Sequence, residues 1–237
     1  MTDFFHTYFL LIAFILYCSS FILFCFSRNA LYRVMLIIAV LIHGIFLISS
    51  GFFGGIFLLL KVVESPAFLP FAISSIILFL EFRKKDEQPW GYGIILTIIF
   101  VLIAILTPRS MTYFGPNKLS WWAIFYFITD FSGQAVFFIG ALFSILFLTG
   151  RTEKEIHHSI IAYGFVFHTI AQVTGAVWCF LGWAATFQWV FVHLQSAAIW
   201  IYYANYLHLR FLPAWNEKRR AVYLTAGAIL LTLFKYL

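Results

Sequence analysis

Residues 34–53 read VMLIIAVLIHGIFLISSGFF, a run of twenty residues without a charged side chain. A helix needs about 20 mostly apolar residues to cross the hydrocarbon core of a bilayer, and this run has that length and that composition. A basic residue, Arg33, stands directly before the run, as is typical of a membrane-flanking loop. The run therefore predicts a transmembrane helix that carries one ionisable residue, His43, inside the membrane.

The composition of the whole chain extends this prediction. Of the 237 residues, 63% are hydrophobic and only 10% are charged, whereas soluble domains carry about 25% charged residues. A soluble fold would expose apolar patches that drive association, so the bilayer is the solvent that fits. We predict an all-α fold, a polytopic integral membrane bundle of about eight transmembrane helices in a single domain over residues 1–237. The predicted spans are 5–27, 34–53, 66–82, 93–107, 121–149, 159–181, 189–211 and 221–237.

Local features refine two of these spans. The N-terminus has no basic region before its apolar run and no small-residue cleavage site, so we expect a retained first helix rather than a signal peptide. The fifth span contains Ser132 and Gly133, a pair at which we expect the helix to tilt or kink.

The distribution of Lys and Arg predicts the orientation. Alternate loops hold eleven of these residues, clustered at 28–33, 83–85, 151–154 and 210–220, and the opposite side holds four. Because loops rich in Lys and Arg stay in the cytoplasm, both termini are predicted outside. We expect a multi-pass protein of the inner (cytoplasmic) membrane. These loops account for the net charge of +6, which does not indicate nucleic acid binding.

Four histidines, His43, His168, His193 and His208, lie on predicted spans. An ionisable group inside a membrane is costly and usually faces the bundle interior or a polar path. Facing imidazoles suit haem, because their neutral nitrogens bind iron axially while apolar side chains surround the macrocycle. The alternative is that each histidine only bonds a neighbouring helix.

The cysteines limit the kind of cofactor. Cys18, Cys25 and Cys179 have no paired spacing, and no CxxCH motif occurs, so we interpret them as packing residues and expect any haem to be non-covalent. Zinc is less suitable, because no closely spaced Cys and His residues supply the three or four ligands it needs.

Tryptophans mark the predicted outer surface. Trp178, Trp183 and Trp189 fall within twelve residues where the sixth span ends and the seventh begins. Tryptophan is enriched at membrane interfaces, so a plain aromatic belt explains the cluster. The other interpretation is a platform for a ligand.

These residues resemble the cytochrome c assembly protein family, specifically its CcsA/ResC branch, which handles haem in system II maturation. The family pattern is roughly GxxWA, then WGxYWxWDPKE, a TW pair and a YLHLR helix end. This chain has Gly175 and Trp178, WAATFQWVFVH at residues 183–193, Trp200, and YLHLR at residues 206–210. The tryptophan-rich motif is therefore degenerate. His43 also falls where the family has a histidine in an early helix.

The resemblance implies roles for these side chains. In the family, a transmembrane His pair binds haem b within the bundle, and a tryptophan-rich outer platform with two external histidines presents haem to an apocytochrome. By this match His43 and His208 are the axial ligands of the iron, and the platform retains Trp178, Trp183 and Trp189. Depth in the membrane instead favours His168 as the partner of His43, since His208 lies only two residues from Arg210.

The chain also departs from the family pattern. Val-Phe-Val-His at residues 190–193 replaces Asp-Pro-Lys-Glu, Asp130 and its neighbours stand where the first external His would be, and the sequence ends before the second. We expect the internal haem site to persist and the external presentation site to be lost. His193 is then the imidazole predicted near the tryptophans. It would donate to a quinone carbonyl or ligate haem iron; the alternative is an interfacial His bonded to backbone or lipid.

Three classes of function follow from these expectations. The first is a membrane haem-binding protein resembling CcsA, with a ResB/CcsB-like membrane protein and a c-type cytochrome as partners. The alternative is a haem b-carrying membrane subunit of a quinone-linked electron-transfer complex, which the lost external histidines favour. The third is a structural or regulatory protein without a cofactor. No catalytic residue is assigned, and enzymatic activity is neither predicted nor excluded.

Overall fold

The fold is known from a computed structural model that describes residues 2–27, 30–53, 66–83, 89–106, 120–153 and 158–236. Every regular element in these ranges is helical, which confirms the all-α prediction for the described part of the chain. The described residues form two compact units, one within Met1–Leu119 and one within Ser120–Leu237. The prediction of a single domain stays a prediction.

The first unit contains four α-helices and a short 3₁₀ turn. They are α1 (Thr2–Ser27), α2 (Ala30–Phe53), α3 (Phe68–Arg83), the 3₁₀ turn Trp90–Gly93 and α4 (Ile94–Leu106). Helix α1 packs against α2 and α4, and α3 packs against the same two helices. The four helices therefore close a ring around a common interior. Tyr17 and Leu36 are fully buried in it.

A buried ion pair lies in the first unit. The Glu81 carboxylate, 5% exposed, lies 3.0 Å from Arg33 Nη2 and accepts a hydrogen bond from the Tyr32 hydroxyl. A carboxylate buried among apolar helices is stable only when it is paired and hydrogen-bonded. The contact therefore joins the start of α2 to the end of α3.

The second unit is also a ring of four helices. They are α5 (Trp121–Leu148), α6 (His158–Trp183), α7 (Phe191–Leu209) and α8 (Glu217–Tyr236). Helix α5 packs against α6 and α8, and α7 packs against the same two. Helix α5 runs unbroken through Ser132 and Gly133.

Glycine allows α5 and α6 to approach closely. A Cβ atom on Gly133 would lie 2.9 Å from the backbone oxygen of Gly164, and one on Gly164 would lie 2.8 Å from Val136 Cγ1. Small residues at such crossings let helix backbones meet within a membrane. The glycine at position 133 thus serves packing between helices.

The helices agree with the predicted spans to within a few residues. Within the described ranges, eight α-helices match the eight predicted spans in order. Four of them are long and apolar enough to cross a membrane, over Tyr8–Phe26, Ala30–Ser49, Trp121–Leu148 and His158–Trp183. Trp90–Leu106 is a shorter apolar helical segment. The count of eight spans and the outside position of both termini stay predictions.

Candidate functional site

His43 lies in the interior of the first unit and is completely buried. Its Nδ1 is 3.2 Å from the Tyr17 hydroxyl, which is 3.0 Å from Ser74 Oγ. Ser74 Oγ in turn donates to the backbone oxygen of Phe71 at 3.0 Å. Three helices, α1, α2 and α3, therefore contribute to one polar chain that ends at the histidine.

This chain of hydrogen bonds is satisfied when Nδ1 of His43 carries the proton. With the hydroxyl hydrogen of Ser74 donated to Phe71, Ser74 accepts from Tyr17, and Tyr17 accepts from His43 Nδ1–H in that arrangement. Nε2 is left with its lone pair. The Ala67 carbonyl is near the imidazole, but Nε2 is buried and has no partner at hydrogen-bond geometry. A buried unpartnered acceptor is costly and calls for an explanation.

His208 lies near the end of α7 and is exposed. Its Nδ1 is 2.7 Å from the backbone oxygen of Ala204, one turn earlier on the same helix. Because a carbonyl only accepts, the proton is on Nδ1 and the lone pair is on Nε2. A histidine that ligates a metal has this arrangement, with the second ring nitrogen donating to a carbonyl or carboxylate.

His168 lies in the interior of the second unit and is completely buried. Its Nδ1 is 3.0 Å from Asp130 Oδ1, and its Nε2 is 3.4 Å from both the Ser196 carbonyl and Gln172 Nε2. Gln134 Nε2 donates to the other Asp130 oxygen at 2.6 Å. Both nitrogens of His168 therefore have polar neighbours, which is not the case for His43.

His193 has the opposite proton arrangement. The backbone N–H of Gln188 donates to His193 Nδ1 at 2.9 Å, so the proton of the neutral ring is on Nε2. Nε2 lies 3.5 Å from Cys179 Sγ, a weak acceptor. In this conformation His193 is a hydrogen-bond donor, and Nε2 has no lone pair with which to bind a metal.

A cavity of about 740 Å³ lies beside His193 in the second unit. This volume is within the range of small-molecule sites, about 300–1,000 Å³. Its lining is mostly aromatic and aliphatic, and the polar groups are few. The lining includes Tyr126, Phe127, Gln172, Trp178, His193 and Trp200.

Only one of the three predicted tryptophans lines this cavity. Trp178 lies on its wall, 5.9 Å from the Tyr126 ring, and Trp183 packs edge-on against Trp178 at the same distance. Trp189 is 85% exposed and contacts Phe187. Trp200 is the other tryptophan on the cavity wall, and its indole N–H donates to Thr169 Oγ1 at 3.0 Å.

The turn after α6 contains a residue in an unusual backbone conformation. Ala184 has φ +55°, a left-handed conformation that favours glycine, and the family pattern has glycine at this position, directly after the first tryptophan. Its N–H donates to the backbone oxygen of Phe180 at 2.9 Å and closes the helix end.

The predicted site residues are distributed over both units. His193 and Trp178 share the cavity, and His168 contacts it through Gln172. His43 belongs to the first unit and His208 to the second. No group of three or more His, Cys, Asp or Glu side chains that could hold a metal ion occurs among the described residues.

Sequence reasoning did not assign roles to Asp130, Gln172 or Tyr17. Asp130 has a clear signal, because an acidic residue inside a predicted span is a functional candidate by default. Gln172 and Tyr17 are uncharged residues of common types. Their importance depends on which helices meet, which no pattern along a single helix reveals.

These observations define a helical membrane protein in which imidazoles are held by hydrogen bonds inside or on two helical rings. No family model matches the chain. It is 25% identical, over 93% of its length and 83% of the relative's, to the cytochrome c biogenesis protein CcsA of Prochlorococcus marinus (strain MIT 9515). The CcsA protein of Chlamydomonas reinhardtii is 26% identical over 88% of this chain and 65% of its own length.

A shorter match has higher identity. The CcsA protein of Prochlorococcus marinus (strain MIT 9303) is 31% identical over 85 residues, which are 35% of this chain and 27% of that protein. The chain is thus similar to CcsA proteins over nearly its whole length, and the resemblance predicted from the sequence is confirmed.

Proposed function

We propose that this protein handles haem in the membrane during cytochrome c biogenesis, as a CcsA-like component that holds haem b without a covalent bond. His43 and His208 are the proposed axial ligands, each through Nε2. The observation that carries the proposal is the unpartnered, buried Nε2 of His43. Iron bound at that atom would satisfy an acceptor that otherwise has no partner.

The hydrogen bonds of both histidines support this assignment. Tyr17 accepts from His43 Nδ1–H and the Ala204 carbonyl accepts from His208 Nδ1–H. Such contacts orient the imidazole and raise the basicity of the other nitrogen. His168 is the competing ligand, and its contact with Asp130 has the same effect. Nε2 of His168 already has two polar neighbours, the Ser196 carbonyl and the Gln172 amide, whereas Nε2 of His43 has none at hydrogen-bond geometry. This difference favours His43 over His168 as an iron ligand.

The cofactor would supply a redox-active iron and would also be the cargo of the biogenesis pathway. The chain's own residues would provide the two imidazole ligands. In the proposed pathway a ResB/CcsB-like membrane protein and a c-type apocytochrome act with this chain. The similarity to proteins named cytochrome c biogenesis protein CcsA supports that context.

The test is the optical spectrum of the full-length protein purified from haem-replete cells. We expect a Soret band in the wild type and loss of most of it in His43→Ala and in His208→Ala, because each change removes an axial ligand. His168→Ala should cause a smaller loss. His158→Ala is the matched control, since His158 is half-buried and packs against Tyr206.

Two outcomes would contradict the proposal. A wild-type protein without a Soret band would exclude haem binding. A Soret band that is lost in His168→Ala but kept in His208→Ala would make His168 the ligand. Delivery is tested by co-expressing the chain with the two partners and staining the c-type cytochrome for covalently attached haem.

The second candidate function is a haem b-carrying subunit of a quinone-linked electron-transfer complex. One observation favours it: His193 donates through Nε2 beside a cavity instead of presenting a lone pair to iron. Rapid reduction of the bound haem by an added quinol, without transfer of haem to an apocytochrome, would support this function over biogenesis.

A further inference from the structure

We propose that the cavity formed by α5, α6 and α7 binds the ring of a hydroquinone, with His193 and Gln172 as the residues that recognise its two oxygens. The inference does not depend on haem binding by His43 and His208, because the cavity lies within the second unit alone.

The hydrogen bond from Gln188 determines which hydrogen-bonding group His193 presents to a ligand. With Nδ1 accepting from a backbone N–H, the ring presents Nε2–H. The contact that this N–H makes is with the Cys179 sulfur at 3.5 Å. Sulfur is a weak acceptor, so a ligand oxygen that replaced it would form a stronger hydrogen bond with His193 Nε2–H. His193 therefore selects a ligand with an oxygen acceptor.

The hydrogen bonds of Gln172 to Ser196 and His168 determine which of its groups remains for a ligand. Its amide nitrogen is 2.6 Å from Ser196 Oγ and 3.4 Å from His168 Nε2. With the His168 proton on the nitrogen that faces Asp130, Nε2 accepts from Gln172, and the Ser196 carbonyl at 3.4 Å from Nε2 is a neighbour without a hydrogen bond. Both amide hydrogens of Gln172 are thereby directed to Ser196 Oγ and His168 Nε2. The side chain has only its carbonyl oxygen left for a ligand, and that oxygen selects a donor.

The aromatic lining of the cavity favours a flat apolar ligand. The ring centroid of Trp178 lies 5.9 Å from that of Tyr126 and 6.0 Å from that of Phe127, so these three rings pack together. Trp200 also lines the cavity. Aromatic side chains bind another ring by stacked or edge-on contacts. A hydroquinone combines the three requirements: an apolar ring, a hydroxyl oxygen that accepts from His193, and a hydroxyl hydrogen that donates to Gln172.

The oxidised ring meets only part of this recognition. A quinone has two carbonyl oxygens and no hydroxyl hydrogen, so it accepts from His193 but cannot donate to Gln172. The reduced form should therefore bind more tightly than the oxidised form. A single hydrogen bond contributes about 1 kcal/mol, so we expect roughly a fivefold difference in dissociation constant.

The experiment titrates the full-length protein in nanodiscs with duroquinol and, separately, with duroquinone, and follows quenching of tryptophan fluorescence. We expect saturable quenching with tighter binding of duroquinol. His193→Phe should weaken both ligands by about fivefold to tenfold. Gln172→Leu should weaken duroquinol and leave duroquinone nearly unchanged. His193→Gln keeps an amide N–H donor and should restore part of the affinity.

Matched controls separate recognition from general damage. His158→Phe and Gln195→Leu make the same changes outside the cavity lining, where Gln195 bonds the Phe234 carbonyl. Both should bind like the wild type. The proposal is overturned by quenching that does not saturate, by equal affinity in His193→Phe and wild type, or by tighter binding of duroquinone. It is also overturned if haem competes for the cavity and ligates His193, shown by a Soret shift that is lost in His193→Phe.

Discussion

Asp130 Oδ1 lies 3.0 Å from His168 Nδ1, and this contact joins α5 to α6 in the interior of the second unit. The crossing is close because Gly133 and Gly164 bring the helix backbones together. The same histidine contacts Gln172, which lines the cavity. The close crossing at the two glycines thus allows the Asp130–His168 contact, and His168 in turn contacts a residue of the proposed ligand site.

Removing the Asp130 carboxylate should destabilise the second unit. Asp130→Asn keeps an oxygen that accepts from His168, so we expect a loss of about 1 kcal/mol in the free energy of unfolding. Asp130→Leu leaves a buried imidazole N–H unpaired and should cost about 1–3 kcal/mol. The measurement is reversible unfolding in mixed detergent micelles. Wild-type stability in both variants would show that the pair contributes nothing.

The close crossing of α5 and α6 predicts a specific intolerance at Gly133. In Gly133→Ala the new Cβ would lie 2.9 Å from the Gly164 oxygen, a backbone atom that cannot turn away. We expect a loss of about 1–3 kcal/mol, the usual cost of overpacking. Gly44→Ala is the matched control, because its Cβ would meet Phe71 Cε2 at 3.4 Å. Thermal unfolding should separate the two variants; similar midpoints would contradict the described crossing.

Tyr17 should affect haem affinity without being a ligand. Tyr17→Phe removes the oxygen that accepts from His43 Nδ1–H and leaves the ring packing in place. Loss of such an orienting contact lowers metal affinity by about 10–100-fold. Titration of haem into the apoprotein, followed at the Soret band, measures this effect. Tyr163→Phe, at an exposed residue, is the control. Unchanged affinity in Tyr17→Phe would argue against His43 as a ligand through Nε2.

The left-handed residue after α6 offers a stabilising substitution. Ala184 has φ +55°, and a residue with a Cβ pays about 1–2 kcal/mol in this conformation. Ala184→Gly should therefore raise the unfolding midpoint. Ala162→Gly, within α6, should lower it, since glycine costs about 1 kcal/mol in a helix interior. If both substitutions destabilise the protein equally, the turn after Trp183 differs from the one described.

The charge distribution predicts the topology. A reporter fused after Leu237 should be accessible from outside the cell, and one inserted at the basic cluster 83–85 should be accessible only from the cytoplasm. Cysteine labelling with a membrane-impermeant reagent gives the same information independently. A cytoplasmic C-terminus would mean an odd number of spans.

The sequence by itself determined the helices. Each of the eight apolar runs became a helix with ends close to those predicted, because backbone groups inside a bilayer must be satisfied within the segment and a helix does so without partners. The apolar composition of each run is therefore enough to predict where the helices lie. The resemblance to CcsA proteins was also readable, since it rests on tryptophans and a YLHLR segment at fixed spacing.

Only the tertiary structure decided which side chains work together. Four intramembrane histidines looked equivalent as residues, yet their ring nitrogens differ: His43 and His208 keep the Nε2 lone pair, and His193 carries a proton there. The partners responsible are a hydroxyl, two backbone groups and a carboxylate. Of these, Tyr17 and Asp130 each lie on the helix that precedes the one carrying the histidine they contact. The protonation pattern of an imidazole depends on what it faces across a helix interface, and that is a property of packing rather than of periodicity along one segment.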